Sequence, residues 1–161
     1  MSCYQHKIDF INRTQEILKR YEPNGMYEKT LFINCCLGLL VAPQQWGDHS
    51  GLDVAINELV NFEEWGINQD NIKENRPKHS TLSRMSVENI AYHIRNSICH
   101  CRFDLLDCNK GEVIKQIHII DKKFIHGKEV TSFDLTMSFD DLRKFVLKYT
   151  DVVKERLYKC Y

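Results

Sequence analysis

The stretch SVENIAYHIRNSICHCRFDLL, residues 86–106, constrains this chain more than any other segment. An α-helix advances about 100° per residue, and on that projection Val87, Ile90, Ala91, Ile98, Cys101 and Leu105 fall within about 60° of Ile94. The period predicts one long helix over residues 86–105 with a complete core-facing stripe and Ser86 as its N-cap. The far side carries Asn89, Tyr92, His93, Asn96, His100 and Phe103. A solvated helix face is ordinarily built from Lys and Glu, so amides, imidazoles and aromatics in their place point to a groove or a protein interface.

The remaining segments supply partners for that stripe. Ile8, Ile11, Ile17 and Leu18 predict a first amphipathic helix over Tyr4 to Tyr21, broken by Pro23-Asn24-Gly25. A second helix is expected from Met26 to Val41, apolar on most sides (Leu31, Phe32, Cys35, Leu39, Leu40), with Pro43 as its stop. Residues 44–85 read as irregular, with a short helix near Leu52 to Phe62 and a polar stretch from Asn68 to Lys78. Asn109-Lys110-Gly111 ends the helix of the 86–105 stripe. Val113 to Ile119 and Val130 to Met137 then alternate around a turn through Gly127, which predicts a β-hairpin over about 112–137. Ser138-Phe139-Asp140-Asp141 resembles a capping box, opening a last helix that carries Leu142, Phe145, Val146, Tyr149, Val152, Val153 and Leu157. The expected architecture is mainly α: an up-down helical bundle with a small hairpin inserted before the last helix, in a single domain over residues 1–161.

Composition narrows the functional classes. The 161 residues hold 22 basic and 22 acidic side chains, so no global field draws the chain to nucleic acid or to an anionic membrane, and any RNA contact must be local. The longest apolar run, Cys35 to Ala42, is far short of the roughly 20 residues that span a bilayer. Seven cysteines, with Cys35-Cys36 and Cys99/Cys101 inside helical patterns, fit reduced thiols in a cytoplasmic protein with no membrane partner. Cys99, His100, Cys101 and Cys108 suggest a zinc set, but Cys99 and Cys101 would diverge by about 200° on a helix, so no metal or other cofactor is expected.

Arg95 lies at the border between the stripe and the face that carries His100. Imidazole titrates near neutrality and passes protons, while guanidinium keeps its charge and offers a planar fork to phosphate oxygens. RNA brings its own nucleophile, the 2′-hydroxyl, so one acid-base group and one fixed cation suffice for strand cleavage without a metal. Lys73, Arg76, Lys78, His79 and Arg84 form a local basic cluster that, with Arg102, could meet phosphates; a solvated loop is the plainer reading of that cluster.

The hexad Arg95-Asn96-Ser97-Ile98-Cys99-His100, an R-polar-x-x-x-H pattern on an amphipathic helix, resembles the HEPN superfamily. LFINCCLGLLVAPQQ before it and SFDLTMSFDDLRKFV after the hairpin resemble a plasmid- and genome-borne bacterial HEPN subgroup, so the likeness covers most of the chain. The resemblance implies a homodimeric ribonuclease of a toxin or antiviral defence system, acting on tRNA or mRNA. It implies catalytic Arg95 and His100, with Asn96 orienting the phosphate or its partner. Two copies of the helix would form one composite groove lined by Asn89, Tyr92, His93 and Phe103, and an antitoxin or regulatory protein would restrain it. Toxins of this kind that are silenced by nucleotidylation often carry Tyr two residues after the His; here that position is Arg102. The alternative is a non-catalytic HEPN-fold module that dimerises or docks a protein or nucleotide.

Overall fold

The computed structural model describes residues 3–20, 26–50, 60–73, 85–106 and 115–159. Most of these are helical, in agreement with the mainly α expectation, and the rest include a four-stranded antiparallel sheet. The chain divides into two compact units, Met1–Ala55 with Phe145–Tyr161, and Ile56–Lys144.

The first unit holds α1 (Cys3–Lys19), α2 (Met26–Ser50) and most of α4 (Phe139–Lys159). Ile11 and Leu18 of α1 and Phe32, Cys36, Leu39 and Leu40 of α2 are fully buried. The expected stop at Pro43 does not occur: α2 runs through it to Ser50. Proline removes one backbone donor and crowds the preceding turn, but packing can outweigh that local cost. Here Pro43 is itself buried, and Trp46 beyond it meets Phe10 of α1 edge to face at 6.1 Å, with Lys7 5.5 Å from the same ring centre. Burial also pushes the Cys35 thiol up from its ordinary pKa, which keeps it a packing group.

A polar tether joins α1 to α4. Gln15, 1% exposed, donates from Nε2 to Thr150 Oγ1 at 2.7 Å and to Asp151 Oδ1 at 3.0 Å, and its Oε1 accepts from Lys154 Nζ at 2.8 Å. Partial burial pulls the Asp151 carboxyl up, but the Gln15 bond and Lys154 outweigh it and hold the pKa below the ordinary 3.8. A depressed carboxylate stabilises the fold above its unfolded pKa and loses that contribution as pH falls through the folded value. The stability gap between parent and Asp151→Asn, read from urea midpoints, should therefore hold at neutral pH and close below about pH 3.8.

The second unit holds β1 (Ile72–Lys73), α3 (Val87–Cys99), β2 (Phe103–Leu106), β3 (Gln116–Ile125) and β4 (Lys128–Ser138), in sheet order β1-β4-β3-β2. The expected hairpin is β3–β4, with longer strands than its sequence pattern suggested and a two-residue turn, His126-Gly127, at φ 49° and 76°. Two positive φ values in succession form the tight turn whose twist suits a hairpin. Alternation sends Ile117, Ile119 and Asp121 to one face opposite Met137, Leu135 and Phe133, all buried, and α3 packs its apolar stripe on β3. The hairpin is thus part of a larger sheet. β1 and β2 went unforeseen, the first because two residues carry no periodicity and the second because Leu105 continued the helical stripe.

Ser138 ends β4 and caps α4: its Oγ accepts from the Asp141 backbone N–H at 3.0 Å and donates to Asp141 Oδ2 at 2.7 Å. The short helix expected near Leu52 to Phe62 falls mostly outside the described residues, and 62–66 form turns. Arg76, Lys78, His79, Arg84, Cys108 and the Asn109-Lys110-Gly111 break also lie outside them.

Candidate active site at the end of α3

Ser86 caps α3 as expected, its Oγ accepting from the Asn89 backbone N–H at 3.2 Å. The helix ends at Cys99, well short of Leu105. His100 is the C-cap, Cys101 turns left-handed at φ 52°, and Arg102 N–H bonds back to Ser97 O at 2.8 Å while Cys101 N–H bonds to Ile98 O at 3.1 Å. This pair of bonds is a Schellman ending, usually built on glycine because a side chain crowds the left-handed backbone. With cysteine there, the stop signal was invisible in the sequence. Cys101 and Leu105, expected in the stripe, are exposed instead, and Phe103 lies on β2 opposite Ile119 and off the helix. Cys101→Gly should raise stability by about 0.5–1 kcal/mol, readable as a higher urea midpoint.

The motif therefore occupies the last turn and cap of a short helix. Arg95 is half-buried and curls sideways: Nε and Nη2 both donate to Asn96 Oδ1, at 3.2 and 2.6 Å, and the guanidinium carbon lies 4.9 Å from the Tyr92 ring centre. Adjacent residues on a helix do not ordinarily face each other, so this clasp fixes a bent side-chain path across the exposed arc. Two of the fork's donors and one ring face are used in orienting it, and its remaining N–H groups are the ones an anion could take. His100 is exposed, with its backbone N–H bonded to Asn96 O at 3.0 Å. Asn96 is thus the shared anchor, through its side chain to Arg95 and through its carbonyl to the His100 backbone.

His93 departs from the expected groove lining. It is 1% exposed, donates from Nδ1 to Asp121 Oδ2 at 2.7 Å, and stacks on Phe133 with ring centres 4.7 Å apart and planes 5° from parallel. Asp121 Oδ1 also accepts the Lys122 backbone N–H at 2.9 Å, where β4 carries one extra residue, Ser132, in a bulge. Ser97, equally buried, donates to His93 O at 2.8 Å. On the helical projection His93 lies at the margin of the stripe, and the sheet covers a wider arc than a neighbouring helix would. Asp121 and Phe133 were missed, although a carboxylate at the inward position after Ile117 and Ile119 was the available sign of a buried partner.

Of the other candidates, Tyr92 is 41% exposed beside Arg95, and Asn89 is half-buried in the first turn. Lys73 is exposed on β1 opposite Asp134. Arg102 is engaged, donating to Glu129 Oε1 at 3.0 Å and to Lys122 O at 3.3 Å. Among the described residues no group of His, Cys, Asp and Glu is arranged to hold a metal ion, and no helix is long and apolar enough to cross a membrane.

The arrangement offers one exposed imidazole and one clasped guanidinium on the same helix end, a pair suited to an anionic substrate that undergoes proton transfer. No curated protein and no solved structure gives a significant match to the sequence. The family model described as HEPN pEK499 p136 matches residues 1–158, nearly the whole chain, and the protein belongs to that HEPN family.

Proposed function

We propose that this protein is a metal-independent endoribonuclease of the HEPN type, working in a toxin or defence system. The observation that carries the reading is the Asn96 clasp: Arg95 is held in a defined orientation on the turn that ends in the exposed His100. In this scheme an RNA 2′-hydroxyl attacks its own phosphorus, the 5′-oxygen leaves, and a cyclic phosphate remains. His100 moves a proton as acid or base, and Arg95 stabilises the charge that builds on the phosphoryl oxygens. Asn96 positions Arg95. A homodimer would bring two such helix ends together with Tyr92 lining the shared groove.

The test is cleavage of end-labelled total RNA and tRNA in EDTA by the parent, Arg95→Ala and His100→Ala proteins. Activity in the parent alone supports the assignment, and equal cutting by all three sinks it. No cutting by any of them would favour a non-catalytic module that binds a protein or nucleotide.

A further inference from the structure

The β3–β4 hairpin ends in the most exposed large apolar side chain among the described residues, Phe124 at 74%. Around it the sequence Lys122-Lys123-Phe124-Ile125-His126-Gly127-Lys128-Glu129 carries three lysines and one carboxylate. That carboxylate is already taken: Glu129 accepts from Lys122 Nζ at 3.0 Å and from Arg102 Nη2 at 3.0 Å. Lys123 and Lys128 add further positive charge, and the register places them, with Ile125, on the face of the hairpin opposite Phe124 and Glu129. In a chain whose formal net charge is zero, this is a local field and not a share of a global one.

We propose that this tip is a single-stranded RNA contact, with Phe124 stacking on a base and Lys123 and Lys128, on the reverse face, taking phosphates of the strand where it passes over the turn. Stacking needs an exposed, stiffly mounted ring, and the tight His126-Gly127 turn mounts it. Two apolar side chains, Phe124 and Ile125, fall far below the roughly 800 Å² per partner of a standard protein interface, and they make too small a face to lie stably in a membrane. The connection to the motif is direct: Arg102, two residues after His100, bonds to Lys122 O and Glu129 on the hairpin stem, and its carbonyl accepts the Ile120 N–H at 3.0 Å. Phe124 lies four residues, about 13 Å of strand, beyond the Ile120 N–H that meets Arg102, so an RNA strand of a few nucleotides held at the tip could extend to the turn that carries His100. The inference rests on the ribonuclease reading and adds a second contact to it.

The experiment measures binding of a fluorescent single-stranded RNA oligonucleotide to His100→Ala protein, so that the probe survives, across a salt series, with tip substitutions added. Phe124→Ala should weaken binding about 5- to 150-fold while Phe124→Trp keeps it. The double change Lys123→Ala with Lys128→Ala should flatten the log-log salt slope by about 1.4. Each variant should melt with the His100→Ala parent, since Lys123, Phe124 and Lys128 are all exposed. Unchanged affinity and slope in the tip variants overturn the proposal while leaving the ribonuclease reading intact. Failure of the His100→Ala parent to bind RNA at all overturns the tip contact, and failure of the unsubstituted chain to cut RNA sinks the ribonuclease reading separately. Phe124-dependent binding to phosphatidylserine vesicles, or Phe124-dependent self-association, with RNA binding unmoved, also overturns it.

Discussion

In EDTA, His100→Ala should cut RNA about 10²–10⁴-fold more slowly than the parent, the range that a positioned acid-base group ordinarily contributes. The substitution should not unfold the chain, because the imidazole is exposed and the helix cap uses the backbone N–H and not the ring. Loss of activity with an unchanged melting curve is therefore the expected signature. Arg95→Ala should fall by a comparable factor through the charge term. Arg95→Lys is the more instructive change. It keeps the positive charge but replaces the fork that Asn96 Oδ1 grips through two nitrogens with one mobile ammonium. If orientation matters as well as charge, the lysine variant should recover only part of the loss, and Asn96→Ala should resemble it. Full activity in Arg95→Lys would reduce the clasp to a packing detail.

How much of this was legible in the sequence depends on where the decisive atoms lie. Ser86, the Val87-Ile90-Ile94-Ile98 stripe, the hairpin and the Ser138 cap are local patterns, and each came through because backbone geometry ties its residues together over one or two turns. The features that did not come through are set by distant partners. Helix α2 survives Pro43 in a unit where Phe10, more than thirty residues earlier, packs on Trp46. Gln15 looks like a surface residue of α1 until Thr150 and Asp151 arrive to satisfy it.

The geometry of the candidate site was half readable for the same reason. Arg95, Asn96 and His100 are separated by at most five residues, so their relation follows from helical geometry. The end of the helix did not follow, since Cys101 adopts a backbone conformation that its side chain resists, stabilised by two bonds from residues 101 and 102. Likewise the sequence pattern grouped His93 with the amides and aromatics of the far face, yet its ring turns inward to a carboxylate 28 residues away. A polar residue at the margin of an apolar stripe cannot be assigned to water or core until the covering surface is known, and here that surface is a sheet.

Asp121→Ala should lower stability by about 3 kcal/mol or more at neutral pH, a large share of the roughly 5–15 kcal/mol that holds a typical domain. The side chains of His93 and Asp121 are 1% and 3% exposed, so removing the carboxylate strands an imidazole donor where water cannot reach it. His93→Ala should cost as much or more, because it also empties the space against Phe133. Replacing both partners with apolar side chains, His93→Phe with Asp121→Leu, should restore most of the loss. The new ring can keep the stack on Phe133, the Asp121 carboxylate and the His93 imidazole are removed together, and the Lys122 N–H forfeits an acceptor, at about 1 kcal/mol. Urea midpoints of the three proteins decide the matter, and single substitutions within 0.5 kcal/mol of the parent, on the order of a neutral surface change, would refute it. Because the pair is sealed from solvent, it can act on RNA cleavage only by fixing how α3 lies on β3. Cleavage in the double variant should therefore return together with its stability, and a stable double variant that stayed inactive would show that the polar bond itself sets the orientation of the helix end.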